Sequence, residues 1–135
     1  RPLSLLILDC DNFKRINDSY GHLEGDRVLQ SLASVITQRL RASDSAYRYG
    51  GEEFVVVLPE TEAEAGVMLA ERLCQAFAAE KIMTASGQSI QCTVSIGIAR
   101  YVPEETRDSL IRRADDAGYE AKRLGKNCVV LAPPA

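Results

Sequence analysis

Apolar positions along the chain fall into runs of two kinds. Leu3-Ser4-Leu5-Leu6-Ile7-Leu8 is almost unbroken and ends at Asp9. Continuous apolar character fits a central strand covered on both faces. From 26 to 41, Val28, Leu29, Leu32, Val35, Ile36 and Leu40 recur at helical spacing, which predicts a helix with Asp26 as its N-cap. Residues 46–49 and 54–58 read as two strands of a hairpin closed by Pro59. Gly50-Gly51 between them predicts a tight primed turn, whose central residues need positive φ.

Further along, Thr61-x-x-Glu64 has the capping-box pattern and predicts a helix with Val67, Ala70, Leu73, Cys74 and Phe77 on its buried stripe. A short strand over 82–84, a turn at Ser86-Gly87-Gln88 and a strand over 90–99 follow. Leu110, Ala114, Ala117, Ala121 and Leu124 mark another helix, capped by Gly125, and 128–131 is a last strand. This order predicts an α+β fold, an α/β sandwich. A central, mostly antiparallel sheet is flanked by helices around a ferredoxin-like βαββαβ core.

With 135 residues the chain is long enough for one domain with a sizeable core. A net charge of −3 argues against a sequence-independent nucleic-acid binder, which would carry a basic face. No apolar run nears the roughly 20 residues that span a bilayer, and no signal-peptide pattern opens the chain. Direct membrane contact is therefore not expected. Cys10, Cys74, Cys92 and Cys128 are widely spaced, without a Cys-x-x-Cys pair. They read as free buried thiols in a reducing compartment, the cytoplasm. The tail Pro133-Pro134-Ala135 reads as the end of the ordered part.

Candidate chemistry sits at strand ends. Asp9 ends a strand buried on both sides, where a carboxylate is costly without a partner. Glu52 and Glu53 follow the two glycines. If the hairpin neighbours the first strand, these carboxylates converge, as magnesium and nucleotide phosphates require. The bland alternative is a capped turn and solvated charges. Asn12-Phe13-Lys14 offers successive backbone N–H groups that can cradle phosphate oxygens. Lys122 and Lys126 lie four apart near a helix end, a place that also suits cations through the helix dipole. Asn17 and Asp26 can read a base edge, or serve as turn residue and N-cap. His22, the sole histidine, is expected to pack and hydrogen-bond within the 21–25 loop.

Five ordered blocks carry a resemblance across nearly the whole chain. They are Asp9-x-Asp11-x-Phe13-Lys14-x-x-Asn17-Asp18, Gly21-His22-x-x-Gly25-Asp26, Gly50-Gly51-Glu52-Glu53-Phe54, Thr93-Val94-Ser95-Ile96-Gly97 and Ala121-Lys122-x-x-Gly125-Lys126-Asn127. Together they resemble the GGDEF diguanylate cyclases in their GGEEF form. The resemblance implies a sheet like the palm of nucleotide cyclases and polymerases. It implies condensation of two GTP into cyclic di-GMP with release of two pyrophosphates, in a homodimer that holds one GTP per subunit.

The same resemblance assigns residues. Asp9, Glu52 and the Cys10 carbonyl would bind metal, two Mg2+ (or Mn2+) ions per GTP. Glu53 would join them or activate the attacking hydroxyl. Asn12, Phe13, Lys14, Gly50, Gly51, Lys122 and Lys126 would hold the substrate phosphates. Asn17 and Asp26 would bind guanine. Arg41-x-x-Asp44, with Arg72, would form the family's inhibitory site for cyclic di-GMP.

Three departures stand out. Lys126 occupies a position where the family often has arginine, Gly118 one where it commonly has a larger apolar residue. The helix and DxLTGLxNR-type motif that usually precede the first strand are absent, which implies a piece of a longer domain with regulatory modules upstream. A silent sensor of GTP or cyclic di-GMP is the alternative, and a palm-like nucleotidyl transferase or purine cyclase a third reading.

Overall fold

The computed structural model describes residues 1–134; Ala135, the last residue of the expected tail, lies outside them. In chain order the elements are β1 (Leu3–Cys10), α1 (Phe13–Tyr20), α2 (His22–Thr37), β2 (Ser45–Arg48), β3 (Glu53–Pro59), α3 (Ala63–Ala79), β4 (Ile82–Met83), β5 (Ser89–Ile90), β6 (Val94–Arg100), α4 (Arg107–Arg123) and β7 (Val129–Leu131). The main sheet runs β2-β3-β1-β6-β7. β1 pairs antiparallel with both β3 and β6, and only β7 runs parallel to its neighbour β6. The order of β2, β3, β1 and β6 is that of a ferredoxin-like βαββαβ core.

Strand alternation divides the core into two layers. Leu6, Leu8 and Cys10 face α2 and α3 with Phe54, Val56, Leu58, Val94, Ile96 and Ile98. Leu5 and Ile7 face α4 with Val55, Ala99, Leu110, Ala114 and Ala117. Covering both faces of β1 accounts for its unbroken apolar run. Each fully buried Leu or Ile there contributes roughly 2 kcal/mol through burial. α4 lies almost on the backbone of β6. A Cβ at Gly97 would strike the Ala114 carbonyl and the Gly118 nitrogen. A Cβ at Gly118 would sit 3.5 Å from the Gly97 nitrogen, an ordinary contact. Gly97 is thus the residue that close packing demands, and Gly118 leaves room beside it.

Several expectations are corrected. α1 was not predicted: its apolar stripe is only Phe13, Ile16 and Tyr20, and of these Ile16 alone is buried. α2 begins at His22, so Asp26 lies inside the helix and not at its N-cap, a position held by Gly21 at φ 93. α2 ends at Thr37, short of Arg41. His22 is exposed in the first turn, because the presumed 21–25 loop is itself helical.

Neither Gly50 nor Gly51 has positive φ. The four-residue connection expected over 50–53 runs over 49–52 instead, closed by Tyr49 N–H donating to the Glu53 carbonyl at 2.8 Å. Thr61 forms no capping box: its hydroxyl donates to the Pro59 carbonyl and accepts from Arg41, and α3 starts without a side-chain cap. The expected strand over 90–99 is split. Ile90 pairs with Ile82 in a small hairpin turned by Gly87 at φ 86, whereas β6 starts at Val94 opposite Cys10.

The C-terminal cap of α4 forms as expected. Gly125, at φ 123, donates to the Lys122 carbonyl and Lys126 N–H to the Ala121 carbonyl, a Schellman arrangement. Among the described residues no helix is long and apolar enough to cross a membrane.

Candidate active site

Register places the first carboxylates. Asp9 lies directly opposite Glu53 in the β1–β3 ladder, so both side chains project from one face, under α4. Cys10 N–H donates to the Glu52 carbonyl at 3.2 Å and ties the hairpin to the end of β1. Asp9, Glu53, Asp115, Gly118, Tyr119 and Lys122 line a cavity of about 230 Å3, which the small Gly118 helps to leave open.

Asp9 is poorly satisfied. Its Oδ1 is buried without a hydrogen bond among the described residues; the Lys122 ammonium stands 3.5 Å away, an ion pair only. Burial pushes the Asp9 carboxyl up to about 6; the charges of Glu52 and Glu53 add to this and Lys122 opposes it. Burial also raises Glu53, with Asp115 and Glu52 contributing. Crowded carboxylates with an orphan oxygen are what a bound cation would relieve. The donors are all oxygens, which suits magnesium or manganese and not a thiolate-seeking metal. Among the described residues no three Asp, Glu, His or Cys groups form a cage by themselves. Magnesium fits such a site because it takes its remaining ligands from carbonyls, water and phosphates.

Asp11, quoted in the motif but given no role from the sequence, is the hub of this end of the sheet. It is 2 % exposed. Its carboxylate accepts from Ser95 Oγ at 2.6 Å, Thr93 Oγ1 at 2.7 Å, Asn127 N–H at 3.0 Å and Lys122 Nζ at 3.1 Å. Burial works against its charge, but these bonds more than offset it and hold the carboxyl below its ordinary range. Lys122 is likewise opposed by burial and held charged by Asp9 and Asp11.

Lys126 does not share a helix face with Lys122. It follows the α4 cap at φ 68, and its Nζ donates to Asn12 Oδ1 at 2.6 Å. The two cations still reach the same place, the junction of β1 and α1. Asn12, at φ 56, starts α1 without a side-chain cap, so Phe13 and Lys14 present free first-turn N–H groups there. The stretch expected to be a phosphate-cradling turn is therefore a helix N-terminus, and Lys14 is exposed on it.

Asn17 lies on α1 against α2. Its Oδ1 is buried and unbonded, and a Cβ at Gly25 would collide with it. Gly25 thus makes the space in which Asn17 stands, one residue before the exposed Asp26. If Asn17 reads guanine, as the resemblance implies, Gly25→Ala displaces its amide and raises KM for GTP about tenfold, since losing one such bond costs about 1–2 kcal/mol. Thermal melting should change little. An unchanged KM would remove Asn17 from nucleotide binding.

Arg41 and Asp44 pair with each other. Arg41 Nη2 meets Asp44 Oδ1 at 2.8 Å and also donates to the Pro59 carbonyl and Thr61 Oγ1. A cavity of about 420 Å3 gathers Arg41, Asp44 and Arg72 with Arg39, which the sequence reading missed. It opens at the Pro59 end of β3, the end away from Glu53. Seven strand residues separate the two by roughly 20 Å.

The family model described as "Diguanylate cyclase, GGDEF domain" matches residues 1–128. The chain belongs to this family. As a GGDEF domain it is 45% identical over 131 residues to diguanylate cyclase A of Treponema denticola, covering 96% of this chain and 35% of that protein. It is 46% identical over 130 residues to diguanylate cyclase DgcP of Pseudomonas aeruginosa, covering 96% of this chain and 19% of the relative. The chain thus spans about a third or less of these curated relatives.

Among solved structures, the GGDEF domain of DgcB from Caulobacter crescentus in complex with c-di-GMP superposes with a TM-score of 0.93 at 36% identity, over 96% of this chain and 77% of that one. The active GGEEF domain of a diguanylate cyclase from Vibrio cholerae gives 0.90 at 34% identity, over 100% and 85%. The GGDEF fold is therefore shared at the level of the whole sheet and its helices.

Proposed function

We propose that this GGDEF domain condenses two GTP into cyclic di-GMP, each 3′-hydroxyl attacking the α-phosphate of the other nucleotide and displacing pyrophosphate. The observation that carries this reading is the Asp9–Glu53 pair: two carboxylates in register, one with an orphan oxygen, beside Lys122 at the mouth of a helix N-terminus. Asp9, Glu52, Glu53 and the Cys10 carbonyl would hold the divalent cations, Mg2+ or Mn2+, two per GTP. Bound there, these supply charge for the phosphate oxygens and acidify the attacking hydroxyl.

The chain's own groups do the rest. The N–H groups of Phe13 and Lys14 bind phosphate oxygens, and the Lys14, Lys122 and Lys126 ammoniums offset their charge. Gly51 has open space around its α-carbon and Gly50 lies against Glu53, so the hairpin admits a phosphate close to its backbone. Asn17 and Asp26 accept from guanine N1–H and its exocyclic amine. Most of the rate enhancement is positioning and charge stabilisation. Since one site holds one GTP, two domains must face each other as a homodimer. Upstream regulatory modules of the full protein would control that meeting, in the cytoplasm.

The test is nucleotide choice. With magnesium, turnover of GTP should exceed that of ATP by at least roughly 100-fold, because a site built to accept guanine's donors is left unpaired by adenine. Comparable turnover of both would defeat the guanine assignment.

We further propose product feedback at Arg41, Asp44 and Arg72, with Arg39 as a fourth charged group. Guanidinium forks suit phosphate and base edges. At roughly 20 Å from the carboxylates, bound product would act by holding two domains apart, not by filling the site. Arg41→Ala is expected to weaken cyclic di-GMP binding about 100-fold, a loss of charge-assisted bonds to an anion. Titration calorimetry reads it, and unchanged affinity would remove the cavity from regulation.

A further inference from the structure

Two cysteines that are 82 residues apart meet inside the fold. Cys10 Sγ and Cys92 Sγ stand 3.1 Å from each other, and both residues are buried. Cys10 is the last residue of β1, on the α2–α3 side of the sheet. Cys92 lies in the 91–93 segment that leads into β6. The backbones on either side are already fixed. Cys10 pairs with Val94, and Asp11 N–H donates to the Thr93 carbonyl at 2.9 Å. The remaining thiols differ. Cys74 donates to the Val94 carbonyl and Cys128 to the Ala121 carbonyl, and neither has a sulfur partner among the described residues.

We propose that Cys10 and Cys92 are a site of reversible oxidation, forming a disulfide under the carboxylate end of β1 when hydrogen peroxide is present. The sulfurs need close only about 1 Å to reach bonding distance of about 2.05 Å. Access runs through Cys92. It lines a cavity of about 430 Å3 between α1 and the 89–93 segment, with Arg15 and Tyr20 at its side. Cys10 is fully buried and does not line it.

The step balances as two thiols and one peroxide giving one disulfide and two waters. Cys92 sulfur attacks a peroxide oxygen, the O–O bond breaks, and the leaving oxygen takes the thiol proton as water. The resulting sulfenic sulfur is attacked by Cys10. The S–O bond breaks, and hydroxide leaves as water with the Cys10 proton. Two equivalents of a small-molecule thiol return both sulfurs to thiols by exchange and leave as their own disulfide.

The consequence for turnover rests on the proposed function, because Cys10 supplies the carbonyl assigned to the cation and sits between Asp9 and Asp11. Drawing its sulfur toward the 91–93 segment shifts that peptide. A displacement near 1 Å at reacting groups costs roughly 100-fold in rate.

The experiment treats the folded chain with hydrogen peroxide, alkylates remaining thiols after denaturation, and maps tryptic peptides without reduction. The four cysteines fall in separate peptides, 1–14, 73–81, 82–100 and 127–135. The expected result is a 1–14 to 82–100 cross-link that dithiothreitol removes and that Cys92→Ala does not form; Cys92→Val serves if the alanine variant fails to fold. Alkylated Cys10 and Cys92 beside oxidised Cys128, or scrambled pairs, would overturn the site. In parallel, GTP turnover of the wild type should fall on oxidation and recover on reduction. A cross-link with unchanged turnover would overturn its coupling to the cation site. The turnover arm uses the chain fused to a dimerising coiled coil, and a fused chain that forms the cross-link yet never turns over GTP would count against the cyclase reading alone.

Discussion

Asp9→Asn is expected to lower GTP turnover by roughly 1,000-fold while the thermal midpoint holds or rises, because one preorganised charge at a reacting phosphate is worth about 10²–10³ in rate. Asparagine keeps the shape of the side chain and removes the charge that a cation needs. In the free protein that charge is a burden. Burial pushes the carboxyl up to about 6, with Glu52 and Glu53 adding repulsion. The sign follows from linkage. The folded state binds the proton more tightly than the unfolded one, whose value is near 3.8. Asp9 therefore removes stability as pH rises from about 4 to about 6, and the loss is complete above that window. In chelator-containing buffer, melting of the wild type should show this decline and Asp9→Asn should lack it. Full turnover by the variant would take Asp9 out of the chemistry.

Asp11→Asn is expected to do the opposite kind of damage. Four donors converge on this buried carboxylate, from β6, its leading segment, α4 and the loop after α4. An asparagine can accept with one oxygen only, and its amide would face donors with donors. Breaking a buried, hydrogen-bonded charge from one side costs about 3–5 kcal/mol. Urea unfolding should show a loss of that order. The stability Asp11 confers is present above its unfolded value and is lost as pH falls through its lowered folded one, opposite in direction to Asp9. Lys122 also loses its anchor, so KM for GTP should rise with the destabilisation. A variant as stable as the wild type would mean that the four bonds carry no net weight.

Much of the fold was legible because long apolar runs report burial directly. The run of β1 predicted a strand covered twice, and α4's spacing and Gly125 predicted its end and its stripe up to Ala121, whereas Leu124, expected on that stripe, is exposed. What was hidden lacked an apolar signature. α1 has one buried residue and packs on α2. Asp26 looked like an N-cap since residues 22–25, of which only Gly25 is buried, hid the start of α2. Gly50-Gly51 suggested a primed turn with positive φ, yet the loop around them uses ordinary backbone angles.

The site was legible mainly as family pattern. Asp9 and Glu53 are partners only because the β1–β3 register sets them opposite each other, and register is not a local property. Asp11 shows the limit most plainly. An acidic residue beside a strand end gives no hint that Thr93, Ser95, Lys122 and Asn127 will surround it. The spacing Asp9-x-Asp11 was the available signal, since alternate residues of a strand share a face. Arg39 was overlooked because the apolar stripe seemed to carry the helix past it. Cys10 and Cys92 looked unrelated for the same reason that Asp9 and Glu53 did.

The central claim is that these carboxylates condense GTP. The chain, fused to a dimerising coiled coil so that two domains can meet, would be incubated with GTP and magnesium and analysed by liquid chromatography and mass spectrometry, with Glu52→Gln alongside. The account predicts cyclic di-GMP and pyrophosphate from the wild type and none from a Glu52→Gln variant of equal thermal stability. A dimer that binds GTP and yields no cyclic di-GMP, or a Glu52→Gln variant that yields as much as the wild type, would contradict it.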